Sequence, residues 1–348
     1  MADISFQRFA LRALLSLPTP ILRTLSGGGV VFQGGRTLDP RLQYLANAAR
    51  GRGVGGALTP ELLRAGSAAS LALVAGDLES GVRVEALSIP AAHGAIPARA
   101  YRPEAQDPTA PVLVFAHFGG GVIGDLETCD VFCGLLAKVA HCAVLSVDYR
   151  LAPEHRFPAG LDDVTAAYSW ARDNATRFGA LAGRAAIGGD SMGGAFAAAV
   201  AQDLKRTGEP QPVLQLLIYP SVDLASETQS MSIYANAYPL SRGLMDWFAA
   251  QYLGPDGDPT DPRASPIRAE DLSGLCPAIV VTAGFDPLVD QGEAYAKRLR
   301  DVGVPVVYRC YDGLAHGFTA YTGAAPAADT ACREIAGLVR EGFEGRIH

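Results

Sequence analysis

The amino-acid sequence predicts an α/β protein: a mostly parallel, eight-stranded sheet flanked by helices and topped by a helical cap. Three observations carry that expectation. From about residue 82 onward, strand-length apolar runs alternate with segments of helical periodicity. The central runs are apolar throughout rather than alternately polar, as strands covered on both faces require. Finally, Gly189-Asp190-Ser191-Met192-Gly193 closes one apolar run and opens an alanine-rich helical pattern, which marks a strand-to-helix turn.

In chain order, strands are expected at 83–89 and 98–102 as an antiparallel pair, then at 112–116, 143–147, 185–188, 213–218, 278–282 and 304–310. Helices are expected near 129–140, 161–178, 194–205, 292–302 and 327–339. Two stretches break the alternation. Residues 1–55 carry helical pattern followed by glycine clusters, and 223–262 place Leu244, Trp247, Phe248 and Tyr252 at helical spacing. An aromatic stripe of this kind is most often core. Here it falls between the Ser191 turn and the next strand end, where it can overhang a site. The two stretches, 1–55 and 223–262, are therefore read as one cap over a catalytic domain of 56–222 and 263–348.

Composition narrows the function. The 348 residues are 49% hydrophobic and 19% charged, ample for a buried core. Lys plus Arg number 29 against 36 Asp plus Glu, a net −7 with no footprint for nucleic acid. No apolar stretch approaches the ~20 residues of a membrane span. Residues 6–25 are apolar but are interrupted by Arg8, Arg12, Pro18, Pro20 and Arg23. They read as an amphipathic helix rather than a secretory signal, and a cytoplasmic location is expected. Cys129, Cys133, Cys142, Cys276, Cys310 and Cys332 lie mostly in apolar runs with no CxxC pair, as free thiols in a reducing compartment would. No metal site follows from them.

A serine hydroxyl is a weak nucleophile unless the backbone presents it to a base. A Gly-x-Ser-x-Gly turn between strand and helix does this by holding the serine in strained φ/ψ, and side chains at Gly189 or Gly193 would collide with nearby backbone. The helix that follows points its N–H groups and positive end at Ser191. On such a sheet the chain order is nucleophile, acid, histidine. His93, His117, His141 and His155 all precede Ser191, which leaves His316 and the terminal His348. Chain ends are usually frayed. His316 lies in Gly313-Leu314-Ala315-His316-Gly317-Phe318, just beyond a strand, and is the expected base.

The acid is expected to be Asp286, which comes directly off the strand 278–282. Asp290 reads instead as a helix-start residue and Asp312 as a turn residue beside Gly313. Oxyanion donors are expected from the Met192 N–H and from the loop after the strand 112–116, His117-Phe118-Gly119-Gly120-Gly121-Val122-Ile123-Gly124-Asp125. Consecutive glycines let backbone approach a developing oxyanion without a Cβ in the way.

These motifs, with Asp148-Tyr149-Arg150-Leu151-Ala152-Pro153-Glu154-His155 and Phe285-Asp286-Pro287-Leu288, resemble the bacterial hormone-sensitive-lipase-type carboxylesterases of the α/β-hydrolase fold. The resemblance spans about residues 112–318. It implies a serine carboxylesterase acting on short- to medium-chain acyl esters through a Ser191–His316–Asp286 triad and an acyl-enzyme, with no cofactor. It also implies a two-part cap and oxyanion donors at Gly119, Gly120 and Met192. Members of the family often dimerise, although no residue here specifies a homodimer.

One departure stands out. The family's loop reads His-Gly-Gly-Gly followed by a bulky residue, whereas this chain has Phe118 at the first glycine and Gly121 at the bulky position. Either Gly119 and Gly120 keep the donor roles while Phe118 reshapes the substrate pocket, or the loop slips by one and Gly120 with Gly121 donate. Both alternatives narrow the expected acyl pocket. Cys129 also stands where the family often has histidine, and the Tyr149–His155 stretch is expected to brace the catalytic loops, with no chemistry at Glu154 or His155.

Three rivals remain at the level of sequence. Gly119-Gly120-Gly121-Val122-Ile123-Gly124 satisfies the dinucleotide fingerprint G-x-G-x-x-G, with Asp148 ending the next strand. His117 and Phe118, however, separate its first glycine from the strand. A non-catalytic small-molecule receptor would ordinarily lack a triad residue, and here all three are present. A lipase or amidase on the same machinery differs only in pocket shape.

Overall fold

The computed structural model describes residues 4–50 and 58–347. The expected cap boundary at residue 55 and His348 fall outside the described residues. The chain begins with α1 (Ile4–Leu15), α2 (Thr19–Leu25), a small ribbon of β1 (Phe32–Gln33) and β2 (Arg36–Thr37), then α3 (Pro40–Arg50) and α4 (Pro60–Val74). There follow β3 (Val82–Ala91), β4 (Gly94–Pro103), β5 (Val112–Ala116), α5 (Asp130–Ala140), β6 (Val144–Val147), α6 (Ala159–Asp173), β7 (Ala185–Asp190) and α7 (Met192–Thr207). The last elements are β8 (Gln215–Ile218), α8 (Gln229–Ile233), α9 (Arg242–Leu253), β9 (Ala278–Phe285), α10 (Val289–Asp301), β10 (Val306–Ala315) and α11 (Pro326–Phe343).

Eight strands form one sheet in the order β10-β9-β8-β7-β5-β6-β4-β3. β4 runs antiparallel to both neighbours and the remaining pairs are parallel. The burial of each strand follows its place. β5, β7 and β9, in the interior of the sheet, are buried at every residue, while the edge strand β3 is largely solvent-facing. One apolar core lies between the sheet and α5 with α11, and a second lies between the sheet and α6, α7 and α10. The parallel strands direct their carboxyl ends to one rim, where ligands of such sheets bind. Ser191, Asp286 and His316 each follow a strand directly at that rim.

Two expectations differ from what is found. β10 runs five residues past the expected 310, with its pairing to β9 interrupted between Tyr311 and Ala315. Asp312 therefore sits in a strand rather than a turn, and there it pairs with Arg36 at 3.0 Å. The helix expected over 161–178 ends at Asp173, because the Asn174 side-chain amide donates to the Trp170 carbonyl (2.8 Å) and a short 3-10 turn follows. All six cysteines are free thiols, and all but Cys310 are buried. Among the described residues no His/Cys/Asp/Glu cluster suits a metal ion. No described helix is long and apolar enough to cross a membrane.

Candidate active site

Ser191 joins β7 to α7 with φ 55° and ψ −117°, a conformation that costs a β-carbon-bearing residue on the order of 1–3 kcal/mol. The surroundings hold it there. The Ser191 N–H donates to the Ile218 carbonyl at 2.8 Å, and the Ser221 N–H donates to the Ser191 carbonyl at 3.1 Å. A Cβ at Gly189 would overlap the Gly193 carbonyl, and one at Gly193 would overlap the Ala116 carbonyl. Both glycines are thus required by close backbone approach.

The three expected residues are brought together. His316 Nε2 lies 2.9 Å from Ser191 Oγ, and His316 Nδ1 lies 2.7 Å from Asp286 Oδ2. Asp286 is fully buried, and its other oxygen accepts from the Leu288 N–H at 2.9 Å. That bond fixes the carboxylate plane. With Asp286 accepting at Nδ1, the tautomer with a bare Nε2 facing the serine is the favoured one. Asp290 lies in the first turn of α10 and accepts from the Ser230 N–H at 2.7 Å, away from His316's partners.

Behind the serine stands a group that sequence reasoning did not assign. Asp190 is fully buried, and its Oδ2 accepts from Tyr219 Oη (2.9 Å) and Thr319 Oγ1 (2.8 Å). Cys129 Sγ lies 3.5 Å from its Oδ1. Burial pushes the Asp190 carboxyl up to about 6, against the pull of those donors and of His316. The Tyr219 ring packs against the His316 imidazole, with centroids 4.8 Å apart. No periodicity or motif flags Tyr219 or Thr319. Their contact with Asp190 arises only once three strand ends converge.

The glycine loop lies beside the serine. Gly119, Gly120 and Gly121 have φ of 134°, 63° and 71°, all in the region that favours glycine. The Gly119 carbonyl accepts from the N–H groups of Val122 and Ile123, both at 3.0 Å, which closes the loop on itself. His117 is buried at its base, with Nδ1 2.8 Å from the Phe118 carbonyl and the Tyr149 ring stacked on it at 4.3 Å. Burial lowers the His117 imidazole to about 4, so it is neutral at physiological pH. Met192 begins α7, where a helix's first N–H groups have no intrahelical partner.

Two cavities meet at Ser191. The larger, about 350 Å³, is apolar and contains His316, Gly119, Gly120 and Phe118, with walls from α4 (Leu62, Leu63, Leu71) and α9 (Leu244, Phe248). The smaller, about 80 Å³, contains Met192, Ser221, Leu224, Met231, Met245 and Leu288 together with the charged Asp223, Glu227, Arg242 and Asp246, with Gly120, Leu240 and Phe248 shared between the two. The α4 wall was missed by sequence reasoning, although Thr59-Pro60 was a legible helix start. Thr59 caps the helix by accepting from the Leu62 N–H, and Pro60 takes the first turn.

Comparison with known proteins shows the family. A sequence model described as the alpha/beta hydrolase fold matches residues 113–320. The chain belongs to the α/β-hydrolase family. Within that family it falls in the hormone-sensitive-lipase-type branch. It is 46% identical to the Carboxylic ester hydrolase LipN of Mycobacterium tuberculosis over 310 residues, 87% of this chain and 82% of LipN. It is 37% identical to the Ethyl acetate hydrolase of Pseudomonas putida, covering 81% of this chain and 92% of that protein. Among solved α/β hydrolases, an ester hydrolase from the metagenome of Lake Arreo, complexed with a bipyridine phosphonate derivative, superposes with a TM-score of 0.83. Its identity is 41%, over 88% of this chain and 99% of its own. The hyperthermophilic esterase of the archaeon Pyrobaculum calidifontis gives a TM-score of 0.80 at 37% identity, over 87% and 98% of the two chains.

Proposed function

We propose that this α/β hydrolase is a serine carboxylesterase working through Ser191, His316 and Asp286. Relatives named as carboxylic ester hydrolase and ethyl acetate hydrolase match most of its length, and the chain is an enzyme of that class. The observation that carries the mechanism is the continuous line from Asp286 Oδ2 through His316 to Ser191 Oγ, at 2.7 and 2.9 Å.

Ser191 Oγ attacks the ester carbonyl carbon while His316 Nε2 takes its proton, and Asp286 orients the imidazole and stabilises its cation. The carbonyl π electrons move to oxygen, which is held by N–H groups of Gly119, Gly120 and Met192, each contributing about 3 kcal/mol. On collapse the C–O bond to the alcohol breaks and His316 returns the proton to the leaving oxygen. Water, deprotonated by the same histidine, then releases the acid from the acyl-enzyme.

This chemistry assigns the two cavities. The leaving oxygen must lie within reach of His316 Nε2, so the alcohol portion occupies the larger cavity, which His316 lines. The acyl chain then points to the opposite side, into the smaller cavity beyond Met192. Phe118 lies in the wall of the larger cavity, so in this reading it shapes the alcohol side rather than the acyl side. The substrates that fit are esters of short acids with larger apolar alcohols. The cap in this reading comprises 1–55 and 223–262, with α4 joined to it because its leucines roof the same cavity as Phe248 of α9.

The test is hydrolysis of p-nitrophenyl esters from acetate to palmitate by wild type and Ser191→Ala. Short-chain activity should fall by roughly 10⁴-fold or more in the variant. Near-wild-type turnover by a folded Ser191→Ala protein would refute the assignment.

A further inference from the structure

The α4 wall of the larger cavity is fastened at its two ends by different means. Its C-terminal end is tied through backbone: the Gly323 N–H donates to the Val74 carbonyl (3.1 Å), and the Gly76 N–H donates to Thr322 Oγ1 (3.0 Å). Arg8 and Arg12 of α1 both donate to the Ala75 carbonyl at 3.1 Å. In the N-terminal half, polar anchoring to the body of the protein runs through Arg64. Its Nε donates to the Val122 carbonyl (2.9 Å), in the glycine loop. Its Nη2 donates to the Ala152 carbonyl (2.9 Å), and its two terminal nitrogens grip both oxygens of Glu154 at 2.7 Å. The Ala152 N–H in turn donates to the Gly121 carbonyl at 2.8 Å. Helix, glycine loop and the 150–155 turn therefore meet in one guanidinium.

We propose that Arg64 is a positioning residue that sets alcohol-side specificity, holding the N-terminal half of α4 down as the wall of the larger cavity. This rests on the two-cavity reading above. The ion pair is not the main agent. Arg64 and Glu154 side chains are 29% and 48% exposed, and pairs this open to water contribute little by themselves. What fixes the helix is the planar fork, which reaches two buried backbone carbonyls and a carboxylate at once. Arg64 is the largest cause holding the Glu154 carboxyl down at about 2, so the fork stays paired across the working pH range. Leu63, beside Arg64, packs on Val122, Ile123 and Ala152, while Leu58 and Leu62 remain substantially exposed. Among the described residues, the N-terminal half of the wall would without the fork rest mainly on that small apolar contact.

The experiment compares Arg64→Met and Glu154→Gln with wild type on ethyl acetate and hexyl acetate, alongside hydrogen exchange of the 61–74 amides. Losing about half the burial of four extra methylenes should raise the KM for hexyl acetate about tenfold in Arg64→Met. Because Arg64 also braces the glycine loop through the Val122 carbonyl, any loss of kcat should be shared by both esters, while the hexyl-to-ethyl KM ratio reports the wall. Glu154→Gln keeps both carbonyl bonds and should show a smaller shift of the same sign. Amides in the first two turns of α4 should exchange faster in both variants, and those of α7 should not. An unchanged hexyl-to-ethyl KM ratio in Arg64→Met would overturn the proposal, whatever its kcat. If Arg64→Met does not fold, unaltered α4 exchange in Glu154→Gln would overturn it. Failure of the underlying reading is a separate result: turnover that survives Ser191→Ala, whatever α4 does.

Discussion

A methyl group at residue 193 would overlap the Ala116 carbonyl oxygen and crowd the His117 carbonyl at 2.9 Å. The obstacle is backbone at the end of β5, which cannot rotate aside as a side chain would. Gly193→Ala should therefore part α7 from β5 and destabilise the protein by about 3 kcal/mol, at the upper end for overpacking. Urea unfolding would measure this, and a loss under 1 kcal/mol would mean that the approach is looser than described. Gly208, whose added Cβ meets nothing within 4 Å, is the fitting comparison for a glycine needed only for its φ of 73°. The same close approach made the site legible in sequence. Glycines two residues either side of a serine, at a strand-to-helix junction, have few other physical explanations. Once the chain order was fixed, His316 was the single internal histidine left.

At the scale of elements, legibility declines with sequence distance. β5 and most of β7 and β9 announced themselves as mainly apolar runs, because strands covered on both faces need few polar residues. The extension of β10 was hidden, since Asp312-Gly313 is a turn signal that the interrupted pairing with β9 overrides. Which cavity Phe118 faces was also out of reach, because its walls come from α4 and α9, some 50 residues before and 130 after it in the chain. A crossed substitution tests the resulting assignment. Met245→Phe in α9 narrows the smaller cavity and should lower kcat/KM for p-nitrophenyl butyrate relative to acetate by about tenfold, the worth of two methylenes. Phe118→Ala should leave that ratio within about twofold while broadening the range of acetate esters accepted, since Phe118 lines only the other cavity. If the two variants exchange these effects, acyl and alcohol sides are reversed.

At the scale of the whole molecule, Asp190 is where separate parts of the fold are tied together. It ends β7, accepts from Tyr219 just after β8 and from Thr319 just after β10, and meets Cys129 at the start of α5. A buried carboxylate at such a junction has a signature in stability. Burial raises Asp190 from its ordinary value of 3.8 to about 6, so between those values the folded chain binds a proton that the unfolded chain has released. Unfolding free energy from this group is then greatest below about pH 4 and declines as pH rises through about 6. A shift of two units corresponds to on the order of 3 kcal/mol. Asp190→Asn has the same shape and does not titrate, so the wild-type-minus-variant difference should become less favourable to wild type by about 2 kcal/mol between pH 4.5 and pH 7.5, the part of the full shift that falls in that window. Urea unfolding of both proteins at the two pH values measures it, with the remaining carboxylates cancelling in the difference. A constant difference would mean that the three donors hold Asp190 ionised throughout. The carboxylate would then act as a permanent buried anion beneath His316, and its charge would favour the imidazolium formed at each turnover.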